Sequence, residues 1–287
     1  MRMYLIIKKF LNKSPLSKNL LLRKINKRIE SLIKGKRIKI KIIEGSKMYL
    51  DPSDENGVSA SLLLEGSYEK EETQLIKGLL KRDMVFVDIG ANIGYYSLLA
   101  SKSCKVIYSF EPDPRNFSML MKNIRLNNYT NIYLFNKAVL DNNDPISFYM
   151  DSKNFGGSSL AETNPEEVGE KISIKPIRLD DVFVDSKIDL IKIDVQGAEE
   201  GVIKGAINTI KNNPNIKIIM EFCPYGIRQV GDNPENLLNL LDELGFSMKV
   251  IEENLRELSP IDKIELCRRN DKDSMNLLLE RGSVSYL

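Results

Sequence analysis

Acidic residues fall at the ends of apolar runs, and that placement could carry chemistry. Asp88-Ile-Gly90-Ala-Asn92-Ile-Gly94 closes one run, and Glu111 closes the next, 23 residues further on. Lys192-Ile-Asp194-Val-Gln196-Gly197-Ala-Glu199 closes a third, and Glu221 a fourth. Glycines after a strand let the backbone turn sharply and approach a ligand, and the following helix offers its N-terminus to a ligand. Asp88, placed before those glycines, suits a ligand with a cationic group. An acid about 20 residues on, at the next strand end, can accept both hydroxyls of a ribose. Taken together, Asp88, Gly90, Asn92, Gly94 and Glu111 point to an adenosine-containing cofactor, with NAD and S-adenosylmethionine both open. The loop is not a Walker phosphate loop, because it lacks Lys and Ser/Thr at the required places.

The chain has no histidine. That excludes Ser-His-Asp and Cys-His nucleophile arrangements, histidine zinc sites and an imidazole base. Proton transfer therefore falls to carboxylates, Lys, Tyr or Cys. Alternation along a strand puts Lys192, Asp194 and Gln196 on one side. Asp194 is the first candidate base and Glu221 the second. Lys192 either orients Asp194 or stabilises developing negative charge. Glu199 reads as a first-turn acid helped by the helix dipole. The three cysteines, Cys104, Cys223 and Cys267, are too scattered for a disulfide framework and read as reduced thiols.

These residues need a scaffold. The chain of 287 residues fits one large domain with a small appendage. From residue 84 onward, strand-like runs (84–90, 105–111, 131–139, 188–195, 216–222) alternate with helical patterns (114–128, 198–213, 233–245). That order predicts a mostly parallel sheet covered on both faces. Two further strands, 247–253 and 275–281, fit an antiparallel hairpin on one sheet edge. Residues 146–150 and 172–179 read as β-like pieces around a polar loop. The reading divides the chain into a basic helical arm, 1–45, and a catalytic unit, 46–287. Within that unit, 46–82 form a lead-in strand and helix, and 83–287 form the sandwich.

Charge is uneven along the chain. Residues 1–45 hold fourteen Lys/Arg against Glu30 and Glu44, a balance of +12, while the rest carries −10. Leu20, Leu21, Ile25, Ile29, Leu32 and Ile33 recur at helical spacing. The pattern suits an interfacial helix on anionic lipid, a patch facing phosphates, or a helix packed on the core. No stretch reads as membrane-spanning or as a signal peptide, so the expectation is a cytoplasmic protein, peripheral to the membrane if the arm touches lipid.

The motifs DIGANIGYYSL, FEPDPRNFSMLMKNI, GGSSL, RLDD and IDLIKIDVQGAEEGVIKGA together resemble the FkbM-type S-adenosylmethionine-dependent methyltransferases, over roughly residues 66–225. The resemblance implies the Rossmann-like class I methyltransferase fold with a seven-stranded sheet. It implies S-adenosylmethionine as cofactor, and O-methylation of a sugar, glycan or other polyhydroxylated acceptor. By it, Asp88, Gly90, Asn92 and Gly94 match the cofactor loop, Glu111 the ribose acid, and Lys192 to Glu199 a second signature. The family commonly has Glu where this chain has Gln196, which moves the weight to Asp194 and Glu221. A divalent metal held by Asp194, Glu221 and Glu199 is the less favoured arrangement, and no metal is assigned. The competing readings are an RNA methyltransferase using the arm, and a non-catalytic cofactor-binding or membrane-associated protein. Retention of Asp88 and Glu111 speaks against the latter, and the acidic body against the former.

Overall fold

The structure is a computed structural model that describes residues 37–162, 168–270 and 273–281. The apolar helical spacing at 20–33 lies outside the described residues. From Lys39 the arm is strand rather than helix. β1 (Lys39–Ile43) and β2 (Ser46–Leu50) form an antiparallel hairpin. Its two-residue turn, Glu44-Gly45, has φ of 47° and 74°, the left-handed pair whose twist matches the flanking strands. Position 45 therefore falls inside a hairpin whose Ile43, Met48 and Leu50 are buried in the same core as the body.

Helices α1 (Val58–Leu64) and α2 (Lys70–Leu79) lead into the main sheet. It opens with β3 (Val85–Ile89), α3 (Tyr95–Ala100), β4 (Val106–Phe110), α4 (Pro114–Leu126) and β5 (Ile132–Phe135). Asp113 starts α4 by accepting the Arg115 N–H at 2.9 Å, and Pro114 fills the first position. A separate hairpin follows, β6 (Ile146–Asp151) and β7 (Val168–Ile174). The chain then returns through α5 (Leu179–Val182), β8 (Leu190–Ile193), α6 (Glu199–Lys204), α7 (Ile207–Asn212) and β9 (Lys217–Phe222). It closes with α8 (Pro224–Gln229), α9 (Pro234–Glu243), β10 (Phe246–Val250), β11 (Arg256–Glu257), α10 (Pro260–Arg268) and β12 (Met275–Arg281).

The sheet order is β11-β10-β12-β9-β8-β3-β4-β5. Strands β9, β8, β3, β4 and β5 are parallel, and β12 runs antiparallel between β9 and β10. The expected seven strands are present, with the two-residue β11 added at the edge. The closing pair is not a tight hairpin, because β11 and α10 intervene and the later strand takes the inner place. Strand order reverses at β3, so a crevice opens beyond the carboxyl ends of β3, β4, β8 and β9.

Alternation sorts the side chains into two cores. Val87, Ile89, Phe110, Ile191 and Met220 face one helical layer, and Phe86, Ile107, Leu190 and Ile219 face the other. The continuous helix expected over 198–213 is broken in two. Gly205 packs so closely that an added Cβ would lie 2.1 Å from the Leu140 carbonyl oxygen. Its own carbonyl accepts the Asp180 N–H at 3.0 Å instead of continuing the helix. The strand expected over 131–139 stops at Phe135. The Asn136 side chain then turns back to the Glu111 carbonyl at 2.8 Å, and Lys137 to Leu140 are free to line the crevice.

Phe110 is fully buried and stacks on Phe135 at 4.6 Å, just before the turn at Glu111. Phe110→Ala is expected to cost about 3–5 kcal/mol in denaturant unfolding, and a loss under 1 kcal/mol would show that this end of β4 is not tightly packed.

Candidate functional site

The turn after β3 is held by close backbone packing. Gly90 has φ +81°, and a Cβ there would lie 1.8 Å from the Asp194 carbonyl oxygen. Only glycine fits between the two strand ends. Asn92, also left-handed at φ 50°, donates its N–H to Glu111 Oε2 at 2.7 Å, and its Oδ1 accepts the Ile93 N–H at 2.8 Å. Gly94 has a different use: it precedes α3, and a Cβ would meet Leu120 Cδ1 at 2.5 Å. It is a packing glycine and does not line the crevice.

Asp88 also lies elsewhere than expected. On β3 it points to the α3 side of the sheet, where its Oδ2 accepts Ser97 Oγ at 2.5 Å, and Ser97 is 2.7 Å from Ser109 Oγ. It is buried beneath the turn rather than exposed to a ligand. Burial, only partly offset by the Ser97 hydrogen bond, lifts its pKa to about 6. The strand's period of two decides this: Val87 and Ile89 face one side, so Asp88 must face the other.

Glu111 does reach the crevice. Its Oε1 accepts the Asp113 N–H at 2.8 Å while Oε2 accepts that of Asn92, so both oxygens are fixed by backbone donors. A carboxylate has about four acceptor positions, which leaves one on each oxygen for a ligand. Burial, then the neighbouring Asp113 charge, pushes its pKa up to about 8.

The ends of β8 and β9 form the other half. Lys192 is buried, its Nζ 3.3 Å from Glu72 Oε1, 3.2 Å from Asp194 Oδ2 and 4.8 Å from the centre of the Tyr96 ring. It does not line the crevice, so of its two expected roles the geometry leaves only the orientation of Asp194. Gln196, at φ 55°, donates Nε2 both to Asp194 Oδ1 (2.9 Å) and to Glu221 Oε2 (2.6 Å). Ser274 donates to Glu221 Oε1. Burial alone would raise the Asp194 pKa, but the Lys192 ammonium and the donated hydrogen bonds outweigh it and hold the carboxyl below its usual range. Burial, and then the Asp194 charge, push Glu221 well above its usual range. The pair is thus biased in opposite directions, Asp194 toward its charged form and Glu221 toward its protonated one.

These groups share one cavity of about 220 Å³. Ile89, Gly90, Asn92, Glu111 and Lys137 line one part, and Asp194, Gln196, Glu221 and Tyr68 another. Glu111 and Asp194 follow strands two places apart in the sheet, about 10 Å. The glycine-serine loop covers it as expected, with Gly156 and Ser158 in the lining. Asn116 Nδ2 donates to the Phe155 carbonyl at 2.9 Å, the Arg115 guanidinium lies 4.4 Å from the Phe155 ring centre, and Ser158 Oγ donates to Asp113 at 3.0 Å. From the lead-in, Asp54 accepts the N–H groups of Gly57, Ser59 and Phe155, tying the two loops together.

Glu199 is not brought to Asp194 and Glu221. It is buried and its Oε1 accepts the Gly197 N–H at 2.9 Å. Among the described residues no three His, Cys, Asp or Glu side chains converge as metal ligands. The sequence reading did not assign Glu72, Tyr68 or the bridging use of Gln196. Glu72 sits in an acidic first turn, where nothing local distinguishes it from the solvated Glu71.

A sheet that reverses at its first strand, with an antiparallel strand inserted next to its last, is the class I methyltransferase sandwich. The model of the FkbM methyltransferase domain matches residues 88–248, and the chain belongs to that family, whose cofactor is S-adenosylmethionine. It is 31% identical over 159 residues to the 2-O-methyltransferase NoeI of Sinorhizobium fredii, a match spanning 49% of this chain and 65% of NoeI. It is 26% identical to the hexuronic acid methyltransferase AglP of Haloferax volcanii, over 66% of this chain and 74% of AglP. Among solved structures, the methyltransferase FkbM of Methylobacillus flagellatus has a TM-score of 0.43 and 14% identity, over 77% of this chain and 52% of that one.

Three buried acids and one half-buried one share one consequence. Asp88, Glu69, Glu199 and Glu111 have pKa values raised, first by burial, to about 6, 7, 7 and 8. A carboxyl whose folded pKa is raised contributes stability that is complete below its unfolded value, about 4, and lost as pH rises through the folded one. The melting temperature of the free protein is therefore expected to fall between about pH 5 and pH 8.5, with Glu111→Gln flattening the fall. A melting temperature that rises over this interval would contradict the upward shift of these acids.

Proposed function

We propose that the protein transfers a methyl group from S-adenosylmethionine to a hydroxyl of a sugar, glycan or other small polyhydroxylated acceptor. Asp194 serves as the general base. The observation that carries this reading is that Asp194 lines the cavity while the buried Lys192 ammonium, 3.2 Å away, and the Gln196 amide, 2.9 Å away, fix the orientation of its carboxyl. The names of NoeI and AglP, one a 2-O-methyltransferase and the other acting on a hexuronic acid, support an oxygen acceptor on a sugar.

The residues present fit the cofactor. In its ionised form Glu111 keeps one acceptor position per oxygen, matching the two hydroxyls of a ribose. The turn at Gly90 and Asn92 would lie beside the rest of the nucleoside and its amino-acid portion. When bound, S-adenosylmethionine supplies an electrophilic methyl group on a sulfonium. The protein must then hold an acceptor hydroxyl in line and remove its proton. Alignment of this kind is worth about 7–11 kcal/mol in favourable cases. Asp194 takes the proton, and Gln196 and Lys192 keep its carboxylate turned to the cavity. Glu221, hydrogen-bonded to Asp194 and shifted toward its protonated form by burial and the Asp194 charge, is not a competing base.

Two measurements test this. Calorimetric titration with S-adenosylhomocysteine is expected to show micromolar binding that Glu111→Ala weakens, with no binding of NAD; binding of NAD alone would overturn the cofactor assignment. With a panel of methyl glycosides and labelled cofactor, Asp194→Asn should lower turnover about 10²–10⁴-fold while leaving S-adenosylhomocysteine affinity near that of the wild type. Near-normal turnover by this variant would remove Asp194 from the mechanism.

A further inference from the structure

The outer face of the β1–β2 hairpin inverts the usual pattern of a strand packed on a core. Residues 38–42 alternate Ile-Lys-Ile-Lys-Ile, and such a strand ordinarily turns its isoleucines inward. Here Ile38, Ile40 and Ile42 face out, with exposures of 49%, 53% and 72%. Lys41 turns inward, where its Nζ donates to the carbonyls of Leu62 (3.2 Å) and Leu63 (2.9 Å) in the last turn of α1. The register is not free to slip. The Glu44-Gly45 turn pairs Lys41 with Met48 and Lys39 with Leu50, and Met48 and Leu50 are buried. The result is a fixed row of aliphatic side chains on a strand whose other edge is unpaired among the described residues. An exposed apolar edge of this kind is a liability unless something covers it.

We propose that this hairpin face docks on an anionic membrane surface. Exposed Arg37 adjoins one end of the row, and exposed Lys47 pairs across from Ile42 at the other. Residues 1–36, outside the described residues, hold eleven Lys/Arg against Glu30 alone. Apolar side chains rimmed by basic ones match the boundary between acyl chains and anionic headgroups, and each Lys or Arg near such a surface strengthens partition about fivefold. Isoleucine neither stacks on bases nor binds phosphate, so a nucleic acid would leave the row uncovered. A second copy paired along β1 would satisfy the strand edge but leave the outward face of Ile38, Ile40 and Ile42 uncovered, because side chains stand perpendicular to the sheet. The proposal is independent of the methyl acceptor.

The test is flotation of the full chain with phosphatidylcholine vesicles, with and without phosphatidylglycerol. The wild type is expected to float with the anionic vesicles only, and to be released by salt. The triple variant Ile38→Ser, Ile40→Ser, Ile42→Ser is expected to lose binding about tenfold or more. Unchanged S-adenosylhomocysteine affinity in that variant shows that it has folded. Absence of wild-type flotation, or equal flotation by the variant, overturns the proposal. So does loss of a dimer in the variant with flotation unchanged, or salt-sensitive RNA retention in place of flotation.

Discussion

The ammonium of Lys192 is the charge around which the site is arranged. A buried cation is tolerated only when paired, and this one is satisfied by elements far apart in the chain: Glu72 from α2, Asp194 from the end of β8, and the face of Tyr96 from α3. The lead-in helix is thereby fixed to the sheet at the point where strand order reverses. Removing either carboxylate would leave the ammonium short of a partner. The placement of the Asp194 carboxyl and the docking of the helices are thus one requirement, met by one side chain.

That charge also separates two carboxyls that would otherwise compete for a proton. Asp194 and Glu221 end neighbouring strands, and Gln196 bridges them with a single amide nitrogen. Lys192 lies 3.2 Å from Asp194 and makes no such contact with Glu221, so it favours negative charge on Asp194 over Glu221. A glutamate in place of Gln196 would add a third acid and remove the shared donor. The amide donates to both carboxyls at once and holds them as neighbours. Glu111, two strands away, is held by backbone N–H groups rather than by a cation, and its environment is separate.

Much of the scaffold was legible in the sequence, because alternation of strand and helix is written in local periodicity. Elements ended differently where a tertiary contact intervened. Gly205, pressed on the Leu140 carbonyl, split one helix, and Asn136, drawn to the Glu111 carbonyl, cut short one strand. The strand-end residues stand out as a group in the sequence, but position along the chain does not give direction. Asp88 ends its strand as Glu111 does, yet pleating turns it beneath the turn and onto Ser97. Gly94 fits the glycine pattern and serves helix packing. Glu72 was not legible at all, since its partner comes from a strand more than a hundred residues later.

The most direct test is a carboxyl ¹³C NMR titration of protein labelled at its Asp and Glu side chains, with Glu221→Gln and Asp194→Asn assigning the two signals. The arrangement predicts that near neutral pH Asp194 is ionised and Glu221 still carries its proton, titrating well above an ordinary glutamate. If Glu221 titrates near its usual value of about 4.3, or if the proton resides on Asp194, Lys192 does not set the charge state of this site and the assignment of the base is wrong.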